Sequence, residues 1–224
     1  MRAPLSIIIP TLNAEAGLPV TLRALVEGLE CGLIRELVVS DGGSGDASCE
    51  VAEAAGAEVV RGAAGRGGQL RRGADVARGE WLLFLHADTE LSAGWASVVQ
   101  AHIRGGQGAG YFRLAFDVGG FAPRWVAGWA NLRARVFGLP YGDQGLLISR
   151  ALYDAVGGYA DMALMEDVAM ARALRGRLRM LPVMARTSAA RYRQAGWLRQ
   201  GARNLWRLLR YLAGADPARL GRGY

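Results

Sequence analysis

The sequence predicts an α/β protein in which helices cover both faces of a mostly parallel central sheet. Within residues 1–90, short apolar runs typical of buried strands alternate with helix-like segments, in the order β-α-β-α-β-α-β. A chain of 224 residues suits one domain with a complete core. We expect residues 1–90 and 91–185 to form its two halves, and residues 195–213 to form a C-terminal amphipathic helix.

The first half is predicted to hold four strands and three helices. β-branched and apolar runs mark the strands, whereas leucine spacing and Ser, Gly and Asp turns mark the helices. The strands are expected at Leu5–Pro10, Glu36–Asp41, Ala57–Val60 and Trp81–Leu85, and the helices near Leu18, Ser44 and Gln69. The glycine-rich segment Gly62–Gly68 is predicted to be a flexible loop.

The second half is less regular. Its strands are predicted from an alternating pattern and from a short apolar run, and its helices from apolar residues at helical spacing. The strands are expected at Tyr111–Asp117 and Gly145–Ser149, and the helices at Ser92–Ile103, Phe121–Phe137, Glu166–Leu174 and Trp197–Leu212.

The last of these helices has leucines on one side and arginines on the other. Such a helix can lie on an anionic membrane, or it can pack on a core with its arginines in water. We favour packing, because the apolar face has an ordinary width. Trp125 and Trp129, in the helix predicted at Phe121–Phe137, leave the same two options open.

The amino-acid composition indicates which kinds of molecule the protein binds and in which compartment it works. The formal net charge is +7, and all 27 basic residues are arginines, which favours an anionic partner such as a nucleotide or a phospholipid surface. Nucleic acid is not expected, since zinc spacing and basic–aromatic motifs are missing. Two cysteines fit a reducing compartment, and the sequence contains neither a signal peptide nor an apolar run of membrane-spanning length, which predicts a cytoplasmic protein.

Carboxylates at strand ends point to a metal–diphosphate site. Asp41 ends the second strand, and His86-Ala87-Asp88 follows the fourth. The carboxyl ends of parallel strands meet at one sheet edge, and one carboxylate plus substrate phosphates commonly holds Mg²⁺ or Mn²⁺. The glycine patterns of dinucleotide-binding folds and of phosphate loops are missing from the first strand–helix connection.

Four blocks in order resemble the family 2 glycosyltransferases. They are Ile7–Asn13 with Glu15, Val38–Ser44, Gly65–Glu80 leading into Phe84–Thr89, and Met165–Asp167. The last two blocks are similar to the family's Asp-x-Asp and Glu-Asp motifs, with His86 where an aspartate usually stands. His86–Thr89 and Tyr141–Gly145 resemble a small bacterial subgroup of short, soluble members.

The resemblance implies a GT-A fold, a nucleotide-diphosphate sugar donor, inversion at the anomeric carbon and a divalent metal, Mn²⁺ or Mg²⁺. It makes residues 1–90 the nucleotide-binding half and residues 91–185 the acceptor half. By motif, Asp88 would bind the metal, Asp167 would be the general base, and Glu166 would orient the acceptor or a nearby loop. Each has a simpler alternative: a loop aspartate for Asp88, and acids that complement a helix dipole for the other two.

The same resemblance assigns residues to the two substrates. Asp41 would contact the base, although an Asx turn before Gly42 is the alternative. We expect His86 to be a hydrogen-bonded polar residue lining the cleft more than a metal ligand. The donor-binding residues are expected to be Pro10, Thr11, Asn13, Glu15, Asp41, Arg66, Gln69, His86 and Ala87, and the acceptor-side residues Asp143 and Gln144.

Other functions stay open. A nucleotidyltransferase on a related fold would usually carry a glycine-rich first loop and a later lysine, and the chain has no lysine. A non-catalytic sugar-nucleotide-binding or membrane-docked protein is favoured by His86 alone. The acceptor is unknown; a lipid-linked acceptor, with contact at the inner face of the membrane, would follow if the two tryptophan-bearing helices shared one surface.

Overall fold

The computed structural model describes residues 3–106, 108–162 and 164–217. Within these ranges, eight strands form one sheet and nine helices surround it. The strands are β1 (Leu5–Thr11), β2 (Ile34–Asp41), β3 (Glu58–Arg61), β4 (Trp81–Phe84), β5 (Thr89–Leu91), β6 (Ala109–Phe116), β7 (Leu146–Ser149) and β8 (Leu178–Thr187). The helices are α1 (Leu18–Glu30), α2 (Ser48–Ala54), α3 (Arg66–Val76), α4 (Trp95–Gly105), α5 (Phe121–Phe137), α6 (Arg150–Ala155), α7 (Glu166–Ala173), α8 (Ala190–Ala195) and α9 (Trp197–Leu212).

The sheet has the order β3-β2-β1-β4-β7-β6-β8-β5. β1, β2, β3 and β4 are parallel, as are β6 and β8, whereas β7 runs antiparallel to β4 and β6, and β5 antiparallel to β8. This confirms the predicted α/β class with a mostly parallel sheet. The order reverses between β1 and β4, and in open α/β sheets the crevice at such a reversal is where ligands bind.

The core has a layer on each face of the sheet. Ile7 and Ile9 of β1 pack in one apolar cluster with Trp95 of α4, and Ile8 packs in the other with Leu70 of α3. Alternate residues of a strand point to opposite faces, so β1 contributes to both layers. Burial of each such side chain stabilises the fold by about 1.5–3 kcal/mol. The packing of β1 between the two layers therefore holds the end of this strand, where the site lies, in place.

The glycine-rich segment is not the flexible loop predicted at Gly62–Gly68, since α3 already begins at Arg66. A Cβ on Gly67 would lie 2.2 Å from the carbonyl oxygen of Ala160. The glycine therefore serves close packing against a neighbouring backbone, a role that the sequence does not distinguish from flexibility.

Two strands and two α-helices were not predicted, namely β5, β8, α6 and α8, and neither was the 3₁₀ turn Gly142–Gln144. In β8 the buried residues alternate from Leu181 to Thr187, but Arg179, Pro182 and Arg186 interrupt the apolar pattern. Proline cannot donate to a strand ladder and usually argues against an internal strand. The β6–β8 register shifts between Tyr111 and Arg113, where β6 pairs with the part of β8 that contains Pro182.

Helix α9 differs most from its prediction. Its leucine side does not face the core: Leu198 is 82% exposed and Leu209 57%. The buried residues are Gln200 and Leu208 instead. Within the described ranges, no helix is both long enough and apolar enough to cross a bilayer.

Candidate active site

The ends of β1 and β2 meet as expected from the sequence. Thr11 pairs with Asp41 in the β1–β2 ladder, and the Thr11 hydroxyl donates to Asp41 Oδ1 at 3.1 Å. Both side chains are buried. Pro10 precedes them in β1 and is partly exposed at the same edge.

The Asp41 carboxylate organises the turn that follows it. Beyond Thr11, it accepts from the amides of Gly43 (2.8 Å) and Ser44 (2.9 Å) and from the Ser44 hydroxyl. Burial alone would raise the pKa of Asp41, but the hydrogen bonds from Ser44, Gly43 and Thr11 hold it below its usual value. Four bonds fill the acceptor capacity of a carboxylate. The structure thus shows the turn alternative, and the expected base contact stays a prediction.

The loops after β1 and β2 are joined by hydrogen bonds. Asn13 Oδ1 accepts from the Gly45 amide at 2.9 Å, and Glu15 Oε2 accepts from the Ala47 amide at 2.9 Å. The Glu15 amide donates in return to Asp46 Oδ2 at 3.1 Å. Asn13 has a φ of +51°, a left-handed conformation that asparagine tolerates better than most residues. Asn13 and Glu15 therefore shape the donor-side loop, and neither was predicted to do so.

Gln69 holds three loops at once. Its Nε2 donates to the carbonyl oxygens of Thr11 (2.7 Å) and Ser40 (2.9 Å), and its Oε1 accepts from the Gly65 amide at 3.2 Å. The side chain is 4% exposed. Both of its amide hydrogens are engaged, so Gln69 positions the loops around the donor side.

Asp88 lies in the turn between β4 and β5 and is open to solvent. Burial of its carboxylate by the surrounding protein raises its pKa, while Arg191 and Arg66 act in the opposite direction. The preceding carbonyl, that of Ala87, accepts from the Thr21 hydroxyl at 2.9 Å. The turn is therefore anchored to α1 through its backbone, and a side-chain hydrogen bond with Thr187 also lowers the pKa of the Asp88 carboxyl.

His86 is predicted to be a hydrogen-bonded residue that lines the cleft, and the structure departs from this at one ring nitrogen. Its Nε2 is buried without a hydrogen-bond partner among the described residues. A Cβ on Gly142 would lie 2.6 Å from this atom. Burial, reinforced by Arg66 and Arg191, lowers the pKa of His86 well below its usual value, so the imidazole is neutral. Nε2 is turned toward Gly142, which does not suit a metal ligand.

Gly142 connects this histidine to the acceptor half. Its amide donates to Asp167 Oδ2 at 2.8 Å. Asp167 Oδ1 accepts from the Val168 amide at 2.7 Å, and the side chain is half-buried at the start of α7. A carboxylate has about four acceptor positions, so Asp167 retains lone pairs for a further donor.

Glu166 is a buried carboxylic acid. It is 1% exposed, and its Oε1 lies 3.7 Å from Arg66 Nε and has no hydrogen-bond partner among the described residues. Burial, together with the charge of Asp167, raises its pKa to about 8, against the opposing effect of Arg66. Glu166 is therefore protonated at neutral pH. The role expected of Glu166, to orient the acceptor or a nearby loop, stays a prediction.

The short 3₁₀ turn Gly142–Gln144 carries the acceptor-side residues. Burial raises the pKa of Asp143 to about 6; Asp167 and Asp88 add to this, while Arg133 and Arg66 oppose it. Gln144 is fully buried and donates to the carbonyl oxygen of Phe112 at 3.2 Å. Gln144 thus fixes the turn, whereas Asp143 belongs to the charged group around the cleft.

A small cavity joins the two halves. It has room for about one water molecule, at about 20 Å³. Its polar lining comes from His86, Tyr141, Tyr159, Glu166 and Asp167. The end of β4 and the start of α7 therefore face one space.

Sequence reasoning missed the arginine that supports this turn. Arg133 of α5 lies over the ring of Tyr141, with its Cζ 3.4 Å from the ring centroid. Burial raises the pKa of Tyr141 to about 12, although Arg133 opposes the shift. The spacing of Arg133 along α5 does not reveal this contact, because it depends on how α5 packs beside the turn.

The donor set for a metal is sparse. In the described ranges, no three His, Cys, Asp or Glu side chains are grouped so that they could hold an ion. An accessible carboxylate at Asp88 fits a divalent ion whose other ligands are phosphate oxygens and water.

Comparison with known proteins gives a consistent result. The model of the family described as "Glycosyl transferase family 2" matches residues 6–158. A "PGL/p-HBAD biosynthesis glycosyltransferase" of Mycobacterium bovis (strain BCG / Pasteur 1173P2) is 40% identical over 99 residues, covering 41% of this chain and 38% of that protein. The chain thus spans well under half the length of this relative.

Solved structures show the same fold. S. aureus TarS 1–349 has a TM-score of 0.66 at 18% identity, covering 95% of this chain and 66% of that one. Glucosyl-3-phosphoglycerate synthase from Mycobacterium tuberculosis, in complex with Mn²⁺, UDP and phosphoglyceric acid, has a TM-score of 0.58 at 20% identity, covering 95% and 79%.

Proposed function

The chain belongs to glycosyl transferase family 2, and on this premise we propose that it moves a sugar from a nucleotide-diphosphate donor to an acceptor hydroxyl, with inversion and with the help of a divalent metal. The chain is a transferase with a GT-A-type fold. The donor class is supported by the neighbours: TarS was solved with UDP-GlcNAc, and the mycobacterial synthase with UDP and Mn²⁺.

The observation that carries the proposal is the junction of the two halves at Gly142. This residue packs against His86, two positions before Asp88, and donates to Asp167. A transfer reaction needs the leaving group and the acceptor base around one reacting carbon. The junction links the segment proposed to bind the diphosphate to the carboxylate proposed as base.

Asp88 is the residue proposed to hold the metal, Mn²⁺ or Mg²⁺. When bound, the ion would stabilise the negative charge that develops on the departing nucleoside diphosphate. The arginines that influence Asp88, Arg66 and Arg191, suit the same charge, because guanidinium groups pair well with phosphate oxygens.

Asp167 is the proposed general base. The acceptor oxygen attacks the anomeric carbon as Asp167 takes the hydroxyl proton, and the bond from that carbon to the diphosphate oxygen breaks on the opposite face. The hydrogen bonds from Gly142 and Val168 hold the carboxylate in one orientation. Protonated Glu166 avoids a second negative charge beside it.

The test is a donor screen. The protein is incubated with UDP- and GDP-sugars and acceptor pools, with Mn²⁺ or Mg²⁺, and nucleoside diphosphate release and thermal stability are measured. At a hundredfold excess over Kd, a bound donor should stabilise the fold by about 2.7 kcal/mol. Asp88→Ala should abolish the metal-dependent part of both signals, whereas Asp75→Ala, an exposed aspartate on α3, should change neither.

Three results would contradict the proposal. Full turnover in Asp88→Ala would remove the metal role. Pyrophosphate release from nucleoside triphosphates would indicate a nucleotidyltransferase. Donor binding without turnover across broad acceptor pools would indicate a non-catalytic binding protein.

A further inference from the structure

Helix α9 has three faces. The core face carries Gln200 and Leu208. A second face carries leucines that are exposed to solvent, and a third carries the exposed arginines Arg199, Arg203 and Arg210. The exposed leucines are Leu198 (82%), Leu205 (41%), Leu209 (57%) and Leu212 (44%). Soluble helices usually bury such a stripe, so its exposure indicates a surface that binds something.

Helix α5 repeats the arrangement. Its alanines, among them Ala127 and Ala130, pack on the sheet, and its bulky residues face away. Arg124 and Arg135 are exposed beside them. The exposed apolar residues are Phe121, Trp125, Trp129, Leu132, Val136 and Phe137, and each is at least half exposed.

The two helices are neighbours in the fold. They contact one another, and Trp197 at the start of α9 packs in the same apolar cluster as Ala127 and Ala130 of α5. Neither helix contains an acidic residue. Together they bring two exposed apolar stripes and a set of arginines to one region of the surface. We call this region the α5–α9 surface.

We propose that the α5–α9 surface docks on an anionic phospholipid bilayer. Tryptophan, phenylalanine and leucine suit the boundary between headgroups and acyl chains, and flanking arginines suit anionic headgroups. Arg210 lies over the ring of Trp206, with its Cζ 4.7 Å from the ring centroid, so that a cation and an amphipathic ring are presented together. The absence of acidic residues from both helices removes the repulsion that an anionic surface would otherwise meet.

Docking would bear directly on the acceptor side of the site, a consequence that rests on the proposed function. Leu208 of α9 packs with Met165 and Val168, which flank Glu166 and Asp167. Tyr141 packs against the same cluster. The membrane-facing helix therefore packs against the start of α7, which carries the proposed base, and a lipid-borne acceptor hydroxyl is the acceptor that this arrangement favours.

The test is vesicle flotation with the full chain and without donor. Vesicles of phosphatidylcholine alone are compared with vesicles containing three parts phosphatidylglycerol to seven parts phosphatidylcholine. Wild type should float with the anionic vesicles and much less with the neutral ones. Added salt should weaken the binding, because it screens exposed charges.

Matched variants separate the apolar and the basic contributions. Leu205→Ser with Leu209→Ser should lower the partition coefficient at least tenfold. Val26→Ser with Leu29→Ser, on exposed positions of α1, should leave it unchanged. Arg199→Gln with Arg203→Gln should lower binding to anionic vesicles about 25-fold, from about fivefold per arginine. The exposed pair Arg104→Gln and Arg175→Gln is its control.

Thermal unfolding of each variant shows whether it is folded, so that loss of vesicle binding is not confused with loss of the folded structure. Equal flotation of the α9 and α1 variants would overturn the proposal. So would a dimer in solution that the same α9 substitutions dissociate, because it would assign the surface to a second copy. Vesicle binding by a protein that transfers no sugar would leave the docking surface standing and refute the proposed function alone.

Discussion

The amide of Gly142 donates a 2.8 Å hydrogen bond to Oδ2 of Asp167. The same glycine closes over His86 on its other side, where a Cβ would approach Nε2 to 2.6 Å. A methyl group at this position would force either the His86 ring or the turn to move. Small displacements of this turn should therefore reach the proposed base directly.

Gly142→Ala tests that dependence. The added methyl should push the turn away from His86 and shift the hydrogen bond to Asp167, lowering kcat on the order of 100-fold, as expected for a misplacement of about 1 Å. Overpacking should lower the free energy of unfolding by about 1–3 kcal/mol. Steady-state kinetics and urea unfolding measure the two effects.

Gly105→Ala is the control, because an added methyl at the end of α4 would have no neighbouring atom within 4 Å. It should leave both quantities unchanged. A normal kcat in Gly142→Ala would show that the position of the turn does not matter to the chemistry.

Asp167→Asn removes the proposed base but keeps the shape and the acceptor oxygen of the side chain. We expect kcat to fall by about 10²–10⁴-fold, the usual contribution of a general base, with donor affinity little changed. Steady-state kinetics measure kcat, and donor titration by calorimetry measures donor affinity. Asp154→Asn, at an exposed position of α6, should behave as wild type. A large loss of donor affinity with unchanged kcat would show that Asp167 contacts the donor and is not the general base.

Glu166→Gln should mimic the protonated acid. The folded state holds the Glu166 proton more tightly than the unfolded chain, since its pKa is raised from 4.5 to about 8. The free energy of unfolding should therefore fall as pH rises between these values, and the variant should lose this slope. It should also keep transfer at pH 7 and resist the decline expected in wild type above pH 8.

Unfolding curves from pH 5 to pH 9 measure the pH dependence of stability, and transfer rates over the same range measure that of activity. Glu90→Gln on β5 serves as the control. A variant with the same pH slope as wild type would show that Glu166 does not carry the proton.

Gln69→Ala tests the bridge between the donor-side loops. The substitution leaves the buried carbonyls of Thr11 and Ser40 without this donor, and each unsatisfied buried group costs about 1–3 kcal/mol. We expect the free energy of unfolding to fall by about 2–4 kcal/mol and donor affinity to fall with it. Gln100→Ala, on α4, gives the baseline for a half-exposed glutamine. Unchanged stability would mean that water replaces the amide without cost.

Parts of this architecture follow from local sequence and parts do not. β1 and β4 were predictable because Ile7–Ile9 and Trp81–Leu85 are buried on both faces and read as unbroken apolar runs. β8 was missed, since one face is exposed and carries arginines, and Pro182 lies inside it. β5 has three residues, too few for any pattern.

The site divides in the same way. Asp41, Asp88 and Asp167 were singled out because they stand at strand and helix ends and match motifs of the resembled family. The burial of Gln144 and Glu166, the loop bonds of Asn13 and Glu15, and the contact of Gly142 with His86 all depend on residues that are distant in sequence. No local pattern encodes such contacts, because packing between elements decides them.

The pairing of β5 with β8 has a consequence for the order in which the chain acquires its site. Thr89, the residue after Asp88, pairs with Thr187, so close to half of the chain lies between the two partners. Closing so long a loop is entropically costly, and distant pairings form slowly. A chain emerging from the ribosome could assemble β1 to β4 early, yet the turn that bears Asp88 would lack its flanking ladder until β8 had been synthesised. The β5–β8 pairing beside Asp88 is therefore expected to form late in folding.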